Sequence, residues 1–318
     1  MHTLLIDGNS LGMAAQNSNP LSSGGKPTQA IFGVMKSIHA LVKQEKFLGA
    51  NIIVAWDGRS FRKDLDENYK ANRDDNAEAA KQRVEFREQL PSIKKALYAL
   101  GVTQISAKNL EADDLIALKV KASKGAQPIT IISGDKDLLQ LVGPNVTWHN
   151  PINYKVGKPT YRTVTENDFA DTLGYATPLR FVQGKALRGD ASDNLAGVGK
   201  IGEKTALQIL DHWGSVKEMV KDVRMRKKDA IPSHIRAKKP LTDFAESAVA
   251  IDRFKHNMRM MNLLGDDIPT PEGLKVVQGD LNPELLKKVC EEHGFLSILR
   301  AVDQWVENFT TVNEAKAA

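Results

Sequence analysis

Short apolar runs alternate with helical patterns over the first half of the chain. The candidate strands are residues 3–6, 51–56, 102–105, 128–132 and 146–148. Between the first two runs, residues 30–48 repeat apolar positions at the spacing of an amphipathic α-helix. Strands that alternate with helices predict an α/β fold, with a mostly parallel central sheet flanked by helices.

This rhythm breaks at residues 59–100, which are highly charged and poor in strand signals. Within them, residues 77–97 have helical spacing but a thin apolar face. They fit either a helical excursion from the sheet or an amphipathic helix packed on its surface. From about residue 164, strand signals disappear and helical periodicity returns. We therefore expect an α/β core over residues 1–163, an all-helical region over 164–305 and a flexible tail over 306–318.

Acidic residues stand just beyond three of the candidate strands. Asp7 and Asp57 follow their runs directly, and Asp135 comes three residues after its run. In parallel α/β sheets, ligands bind beyond the carboxyl ends of the strands. The sequence therefore predicts that these three carboxylates converge at one edge of the sheet.

Six further acids occur in small groups. They are Glu111, Asp113 and Asp114 at the start of a predicted helix, Asp137 beside Asp135, and Asp190 and Asp193 in a Gly-Asp-Ala-Ser-Asp-Asn segment. Any one of them alone fits a helix cap or a turn. Two such charges about 4 Å apart repel by roughly 4 kcal/mol at an effective dielectric of 20, so a cluster needs counter-charge.

Hard oxygen ligands without Cys or His partners favour Mg²⁺ or Mn²⁺ over Zn²⁺. Two or more such ions are expected, because paired ions about 4 Å apart are common in phosphodiester cleavage. The chain has 44 basic and 39 acidic residues and a formal net charge of +5. If metal neutralises the nine acids, 30 acids remain against 44 bases, and the resulting charge of about +14 favours a polyanionic partner.

Two further segments suit a nucleic acid. Residues 197–206 form a glycine-spaced turn that enters a helix, where backbone N–H groups can bind a phosphate. The turn lacks a Walker A ending and is typical of a helix–hairpin–helix element. Residues 217–239 hold nine bases and three acids, which fits either a solvated face or additional phosphate contacts. The predicted DNA-binding residues are Gly197, Gly199, Lys200, Gly202 and Lys204.

The cysteine count and the lengths of the apolar runs indicate the cellular compartment of the protein. Cys290 is the single cysteine, which excludes an intramolecular disulfide and a cysteine-rich zinc site. The N-terminal apolar run is too short for a signal peptide, and no stretch reaches the length of a membrane span. We expect a cytoplasmic protein that has no membrane partner.

Several of these motifs together resemble the 5′-nuclease family, which comprises flap endonucleases and the 5′→3′ exonuclease domain of bacterial DNA polymerase I. The resemblance runs from Leu4 to about residue 265. Its most specific pieces are residues 5–8 (LIDG), 69–73 (YKANR), 111–114 (EADD), 133–141 (SGDKDLLQL) and 189–194 (GDASDN), the last leading into 197–202.

The resemblance implies a structure-specific 5′ nuclease, both flap endonuclease and 5′→3′ exonuclease, that cuts DNA near 5′ ends and single-strand/duplex junctions. Asp7, Asp57, Glu111, Asp113 and Asp114 would serve a first metal group, and Asp135, Asp137, Asp190 and Asp193 a second. Residues 59–100 would form a helical arch. Within it, Lys70 and Arg73 would act on the scissile phosphate and Tyr69 would stack on a base.

The resemblance further implies a monovalent cation such as K⁺ at the Gly197–Gly202 turn. Some relatives carry a basic residue where this chain has Ala14 and Ala15, so a DNA contact there is not expected. Compact free-standing members are typical of phages, which would place the protein, as a monomer, in the cytoplasm of a bacterial host. The alternatives are a non-catalytic DNA-junction binder on the same scaffold, an RNA-directed nuclease and a small-molecule phosphatase.

Overall fold

The computed structural model describes residues 1–151 and 162–317 of the chain. Its strands are β1 (Thr3–Asp7), β2 (Ser22–Ser23), β3 (Lys26–Pro27), β4 (Asn51–Trp56), β5 (Thr103–Ser106), β6 (Ile129–Ile132), β7 (Val146–His149), β8 (Thr163–Val164), β9 (Gly189–Asp190), β10 (Leu195–Ala196) and β11 (Lys275–Val277). Each of the five runs that the sequence marks as candidate strands is a strand, within one or two residues.

The helices of the described residues are α1 (Gly8–Gln16), α2 (Gln29–Val42), α3 (Arg62–Leu65), α4 (Ala77–Ala99), α5 (Ala112–Ser123), α6 (Phe169–Leu173), α7 (Pro178–Arg188), α8 (Glu203–Trp213), α9 (Val216–Arg226), α10 (Lys238–Glu246), α11 (Ala248–Met261), α12 (Pro283–Glu292), α13 (Leu296–Leu299) and α14 (Val302–Ala317). Short 3₁₀ helices lie at Glu45–Phe47, Ala71–Asp74, Lys136–Leu141, Ala191–Asp193 and Lys227–Ala230. No helix in this part of the chain combines the length and the apolar character needed to cross a membrane.

The central sheet has seven strands in the order β11-β5-β4-β1-β6-β7-β8. Its five middle strands are parallel, and the two edge strands pair antiparallel with their neighbours. Strand β1 lies between β4 and β6 and is buried on both faces, which is why its sequence is a continuous apolar run. The predicted fold class, a mostly parallel sheet flanked by helices, is confirmed.

Alternate residues of β1 face different layers. Leu5 packs into a core that contains residues of α5 and of the helices α6 to α10. Leu4 and Ile6 pack into a second core shared with α1, α2, α4, α12 and α14. This two-residue period fixes the sheet between two helical layers and places its carboxyl-terminal edge between them.

The chain returns to the sheet after the helical region. The sequence predicts an all-helical region over residues 164–305, but in the structure β11 pairs with β5, and α12 packs against α4. Strand β11 is three residues long and exposed at the sheet edge, so it lacks the apolar pattern by which a buried strand is recognised. Between β8 and β11 no described segment joins the central sheet, and the last helix of this stretch, α11, ends at Met261.

The predicted flexible tail over residues 306–318 also differs from the structure, because α14 occupies this segment up to Ala317. Phe309 is fully buried, and Trp305 stacks on His39 with ring centroids 3.9 Å apart. These aromatic contacts attach the helix to the α2 layer.

The structure of α4 bears on the two interpretations of residues 77–97, a helical excursion from the sheet or an amphipathic helix packed on its surface. Phe86, Ile93 and Leu97 are buried against α1, α2 and α12, whereas none of residues 77–85 is buried and four of them are exposed. The second half of the helix is therefore a packed amphipathic helix. Only its first half and the segment before it remain for the predicted arch.

Candidate metal centre

A cleft of about 450 Å³ opens at the carboxyl ends of the central strands. The acids that line it are Asp7, Asp57, Glu111, Asp113 and Asp135. Asp7 ends β1, Asp57 follows β4 and Asp135 follows β6, so neighbouring parallel strands deliver these three side chains to one place. The predicted convergence at the sheet edge is what the structure shows.

Asp7 is the most enclosed of these three acids, with 6% of its surface exposed. Its Oδ1 accepts a hydrogen bond from the backbone N–H of Ser10 at 2.9 Å, and its Oδ2 accepts one from the Ser133 hydroxyl at 3.0 Å. Burial and the nearby charges of Asp57 and Asp135 raise the pKa of Asp7 to about 7. Neutral donors hold the carboxylate in position but do not neutralise it.

Asp57 and Asp135 also accept hydrogen bonds from neutral donors, although more of their surface is exposed than that of Asp7. The Oδ1 atom of Asp57 accepts the N–H of Ala112 at 2.8 Å, and that of Asp135 accepts the N–H of Asp137 at 2.8 Å. Desolvation within the cleft raises the pKa of Asp57. The same effect, together with the charge of Asp137, raises the pKa of Asp135 to about 6. Because these carboxylates repel one another, they favour the binding of a cation in the cleft.

The acids at the start of α5 divide into two kinds. Glu111, Asp113 and Asp114 each place one carboxylate oxygen within 4.8 Å of the others. Glu111 and Asp113 line the cleft, but Asp114 is fully buried and turned into the protein. Helical spacing alone would place residues 111 and 114 on one face. The structure separates them because Glu111 precedes the first helical turn as its cap.

Asp114 is held by a residue that the sequence analysis missed. Arg62 donates from Nη2 to Asp114 Oδ1 at 2.8 Å and from Nη1 to Asp114 Oδ2 at 2.9 Å. Asp114 Oδ2 also accepts the backbone N–H of Glu111 at 3.0 Å. With both oxygens engaged, Asp114 orients Glu111 rather than facing the cleft. That Asp114 serves the first metal group, directly or through water, stays a prediction, and Glu111, Asp113 and Asp114 together form a group whose oxygens could hold one ion.

The Glu111 carboxylate accepts hydrogen bonds from several side chains, two of them positively charged. Burial alone would raise its pKa, but the charges of Lys70 and Arg62 and hydrogen bonds from Lys70 and Ser60 lower it to about 2. The Lys70 Nζ atom lies 2.6 Å from Oε1, and the Ser60 hydroxyl lies 2.5 Å from Oε2. By contrast, burial and the charge of Asp114 raise the pKa of Asp113 well above its usual value.

The second acid group lies beside the first and surrounds another residue that the sequence analysis missed. Lys185, from α7, forms an ion pair with Asp137, and its Nζ lies 3.0 Å from Asp190 Oδ2. The Asp193 carboxylate pairs instead with Arg73, at 3.2 Å. All nine predicted acids thus belong to one connected region, because Asp135 interacts with Asp137 and Asp193 interacts with both Asp137 and Asp190.

The segment Tyr69–Arg73 joins the two acid groups. Lys70 pairs with Glu111 of the first group and lies 3.9 Å from Asp193 of the second, and Arg73 lies beside the same cleft. The backbone N–H of Lys70 donates to the Asp193 carbonyl at 3.0 Å, and Asn72 donates to the Ala191 carbonyl at 2.8 Å. These contacts tie the base of the predicted arch to the second acid group.

Tyr69 does not occupy the position that base stacking would require. Only 3% of its surface is exposed, and its ring packs with Ala186, Leu195 and Met260. Its hydroxyl donates to Glu111 and Asp193 at 3.2 and 3.3 Å. Sequence adjacency to Lys70 suggested a ring at the surface, but the structure directs the ring inward and only the hydroxyl toward the acids.

The glycine turn lies directly after the second acid group. Gly199 and Gly202 face open space, and Gly199 has a φ of +59°. Gly197 differs, because a Cβ there would lie 2.2 Å from the Arg188 carbonyl oxygen. The absence of a Cβ at Gly197 lets the turn pack against the end of α7, and its predicted contact with DNA stays a prediction. Lys200 and Lys204 are exposed beside the uncapped start of α8.

Much of the basic segment over residues 217–239 is engaged within the helical region. Arg226, Lys227 and Lys239 pair with Asp222, Glu246 and Asp243, respectively. Arg224 donates to the Ala245 carbonyl at 2.7 Å. These contacts favour the solvated-face interpretation for those four residues.

Basic side chains inside the protein supply part of the counter-charge of the acid cluster. The nine acids pair with four bases, Arg62, Lys70, Arg73 and Lys185, so about five negative charges remain uncompensated. The larger charge of about +14 followed from assigning all nine acids to metal, because long-range ion pairs leave no local pattern in a sequence. The sequence signals for these bases were weak: Arg62 lies in the charged excursion, and Lys185 stands five residues before Asp190.

Comparison with known proteins identifies the architecture. A model of the 5′-3′ exonuclease N-terminal resolvase-like domain matches residues 2–174, and a model of the 5′-3′ exonuclease C-terminal SAM fold matches residues 176–265. This chain belongs to the 5′-3′ exonuclease family. The family resemblance inferred from its motifs is confirmed, and the first acid group and the glycine turn of this exonuclease-family chain fall in the first and second matched domains.

Relatives of this exonuclease-family chain include longer proteins. The thermostable DNA polymerase I of Thermus filiformis is 34% identical over 238 residues, a match covering 74% of this chain and 26% of the relative. DNA polymerase I of Streptococcus pneumoniae strain R6 is 30% identical over 311 residues, covering 94% of this chain and 32% of the relative. The chain thus spans about a quarter to a third of the length of these curated relatives.

Solved structures share the fold across nearly the whole chain. A bacteriophage T5 flap endonuclease, in a pseudo-enzyme–product complex with DNA and metal ions, has a TM-score of 0.63 and 18% identity, covering 99% of this chain and all of that one. Human GEN1, in complex with Holliday junction DNA, has a TM-score of 0.59 and 13% identity, covering 92% of this chain and 67% of that one. At these identities the likeness establishes a common fold.

Proposed function

We propose that this chain is a divalent-metal-dependent, structure-specific 5′ nuclease that acts on DNA as a flap endonuclease and as a 5′→3′ exonuclease. The observation that carries the proposal is the cleft at the sheet edge, where uncompensated carboxylates stand beside Lys70 and Arg73. Family membership and the DNA-bound state of the structural neighbours support it.

The cleft residues fit hard divalent cations. Asp7, Asp57, Asp113 and Asp135 receive hydrogen bonds only from neutral donors within the described residues, and their pKa values are raised by burial and mutual repulsion. Oxygen ligands of this kind suit Mg²⁺, with Mn²⁺ as a substitute. These four acids and Glu111 would hold one ion, and Asp137, Asp190 and Asp193 a second, with some sharing. When bound, such ions make water nucleophilic and stabilise the leaving oxygen.

The chain's own cations would act on the phosphate. The Lys70 ammonium and the Arg73 guanidinium lie at the cleft, where they would orient the scissile phosphate and offset charge that grows on its oxygens. Arg83 and Arg87 of α4 line the same cleft beside α1. They supply positive charge near the site where Ala14 and Ala15 leave none. In this proposal Asp114 and Arg62 position Glu111, and Tyr69 links Glu111 to Asp193.

The helical region would grip the duplex. The open backbone at Gly199 and Gly202, with Lys200 and Lys204 exposed beside it, suits two adjacent phosphates of one strand. A monovalent cation such as K⁺ would bind at this turn between backbone carbonyls and a phosphate. Because the grip touches the backbone, the enzyme would select a 5′ flap or junction by shape rather than by base sequence.

Further assignments complete the proposal. Residues 1–163 would act as the nuclease core, with the arch at residues 59–76 and the first half of α4, and the helical region from 164 would act as the DNA-binding part. The products would carry 5′-phosphate and 3′-hydroxyl ends. The protein would work as a monomer in the cytoplasm, which is the bacterial host's if a phage encodes it.

The rival function is a non-catalytic DNA-junction binder on the same scaffold. A labelled 5′-flap duplex incubated with the protein in Mg²⁺, and in parallel with EDTA, separates the two. The nuclease proposal predicts a discrete product near the junction in Mg²⁺ and none in EDTA. Binding without metal-dependent product would instead support the junction binder.

A further inference from the structure

Lys185 occupies the centre of the second acid group. Its ammonium contacts Asp137 Oδ1 and lies 3.0 Å from Asp190 Oδ2, and only 11% of its side chain is exposed. The lysine comes from α7, whereas its two partners come from the 3₁₀ helix after β6 and from β9. Three separate elements therefore converge on one internal cation.

The ammonium stands where a bridging divalent ion would have to stand. Both oxygens of Asp190 already have partners, because Oδ1 accepts the backbone N–H and the hydroxyl of Ser192, at 2.9 and 2.5 Å, and Oδ2 faces Lys185. A magnesium ion needs carboxylate oxygens at about 2.0–2.1 Å in near-octahedral geometry. An ion shared by Asp137 and Asp190 would therefore meet the Lys185 nitrogen at close range.

The first acid group is arranged differently. Within the described residues, Asp7 and Asp57 accept hydrogen bonds from Ser10, Ser133 and Ala112, all of them neutral donors. Lys70 contacts the edge of that group, at Glu111, and leaves those two carboxylates uncompensated. A cation can join the first group without displacing any ammonium, whereas the second group already contains one.

We propose that Lys185 is a resident counter-cation of the second acid group, and that a divalent ion binds between Asp137 and Asp190 only when the lysine side chain swings out. This inference rests on the proposed metal-dependent function. It predicts that the two metal groups fill in order, the first tightly and the second weakly. It also explains how these acids fold together without metal.

The displaced ammonium needs a new partner. Lysine carries its charge on a flexible four-carbon stem, so it can turn from the acids toward the cleft. A phosphate of a bound DNA strand is an anion that would accept it there. The second ion should then bind better in the presence of DNA, because the lysine exchanges one anionic partner for another.

The test compares Lys185→Met with the unchanged protein by Mn²⁺ titration calorimetry in the absence of DNA. Methionine keeps the unbranched length and removes the charge. We expect the affinity of the weaker Mn²⁺ site to rise by about tenfold or more, the scale on which groups beside a metal site alter its affinity, while the tighter site is unchanged. Lys185→Arg retains the charge and should show no rise, and Lys81→Met, at an exposed position of α4, controls for the loss of one lysine.

A thermal unfolding series guards against a variant that folds poorly. Lys185→Met should melt below the unchanged protein in EDTA and gain more in melting temperature from Mn²⁺. Unchanged or weaker Mn²⁺ binding at the second site in a folded Lys185→Met would overturn the inference, because Lys185 would then support metal binding rather than compete with it. Flap cleavage by the unchanged protein, measured separately, decides the proposed function whatever this comparison gives.

Discussion

The guanidinium of Arg62 and the carboxylate of Asp114 form a two-pronged ion pair inside the protein, with Nη2–Oδ1 and Nη1–Oδ2 distances of 2.8 and 2.9 Å. Their side chains are 3% and 0% exposed. Arg62 also donates to the Met260 carbonyl at 2.6 Å, so the pair connects the α/β core to the helical region. Asp114, which the family resemblance places in the first metal group, is thereby fixed beside its neighbour Glu111.

Removing one member of this pair should destabilise the protein strongly. Arg62→Met leaves Asp114 buried and unpaired, a change that typically costs about 3–5 kcal/mol. Urea unfolding measures the loss. Arg59→Met removes the arginine of an exposed pair with Asp64 and should cost less than about 1 kcal/mol. Equal effects of the two substitutions would contradict the supporting role.

Lys70→Met should slow the chemical step without abolishing DNA binding. The ammonium contributes charge at the cleft, and loss of one such preorganised group typically costs about 10²–10³ in rate. Single-turnover cleavage of a saturating 5′-flap substrate reports this step, and flap binding in Ca²⁺ reports affinity. Lys43→Met, at the exposed end of α2 and away from the cleft, should leave the rate near that of the unchanged protein. A purely structural Lys70 would lower both quantities together with stability.

The metal-free protein should lose stability as pH rises from about 4 to about 7. Burial and the charges of Asp57 and Asp135 raise the pKa of Asp7 to about 7, so the folded state binds a proton over this range that the unfolded state releases. A shift of this size corresponds to at most about 4 kcal/mol at pH 7.5. Urea unfolding in EDTA at several pH values measures it.

Asp7→Asn is the matched variant for this pH dependence. It removes the titrating group, so its stability curve should be flatter than that of the unchanged protein over the same range. Asp266→Asn, at a fully exposed position, should keep the original curve. Magnesium should flatten the curve of the unchanged protein, because a cation offsets the repulsion. Parallel curves for Asp7→Asn and the unchanged protein would exclude Asp7 as the source.

Two glycines of the turn should separate stability from DNA affinity. Gly197→Ala places a Cβ 2.2 Å from the Arg188 carbonyl oxygen and should destabilise the protein by about 1–3 kcal/mol. Gly202→Ala meets no atom within 4 Å and should leave stability almost unchanged. Its methyl group would instead obstruct a phosphate at the start of α8, so duplex binding should weaken several-fold. Fluorescence anisotropy on a duplex measures this, and unaltered affinity would remove the turn from the interface.

The sequence predicts the strands and the convergence of acids well, because both follow from geometry that a parallel sheet imposes. An acid just after a buried run must lie at the carboxyl edge, which places Asp7, Asp57 and Asp135 together. The order of motifs then identified the family. These signals are local and periodic, so a single sequence contains them.

Other features depend on contacts that periodicity does not encode. Helical spacing cannot tell that Asp114 faces inward, because its partner Arg62 lies 52 residues away. Tyr69 is buried by residues of the helical region, and Lys185 reaches an acid 48 residues before it. Strand β11 is short and its side chains are exposed, so no hydrophobic pattern in the sequence predicts it.

The most direct measurement is cleavage of an end-labelled 5′-flap duplex in Mg²⁺ by the unchanged protein and by Asp135→Asn and Asp190→Asn, with binding of each to the same flap measured in parallel. The account predicts cleavage near the junction by the unchanged protein, retained binding by both variants, and loss of cutting in both. Normal turnover by either variant would contradict the assignment of that acid to the metal centre. Absence of any Mg²⁺-dependent product from the unchanged protein would contradict the nuclease function itself.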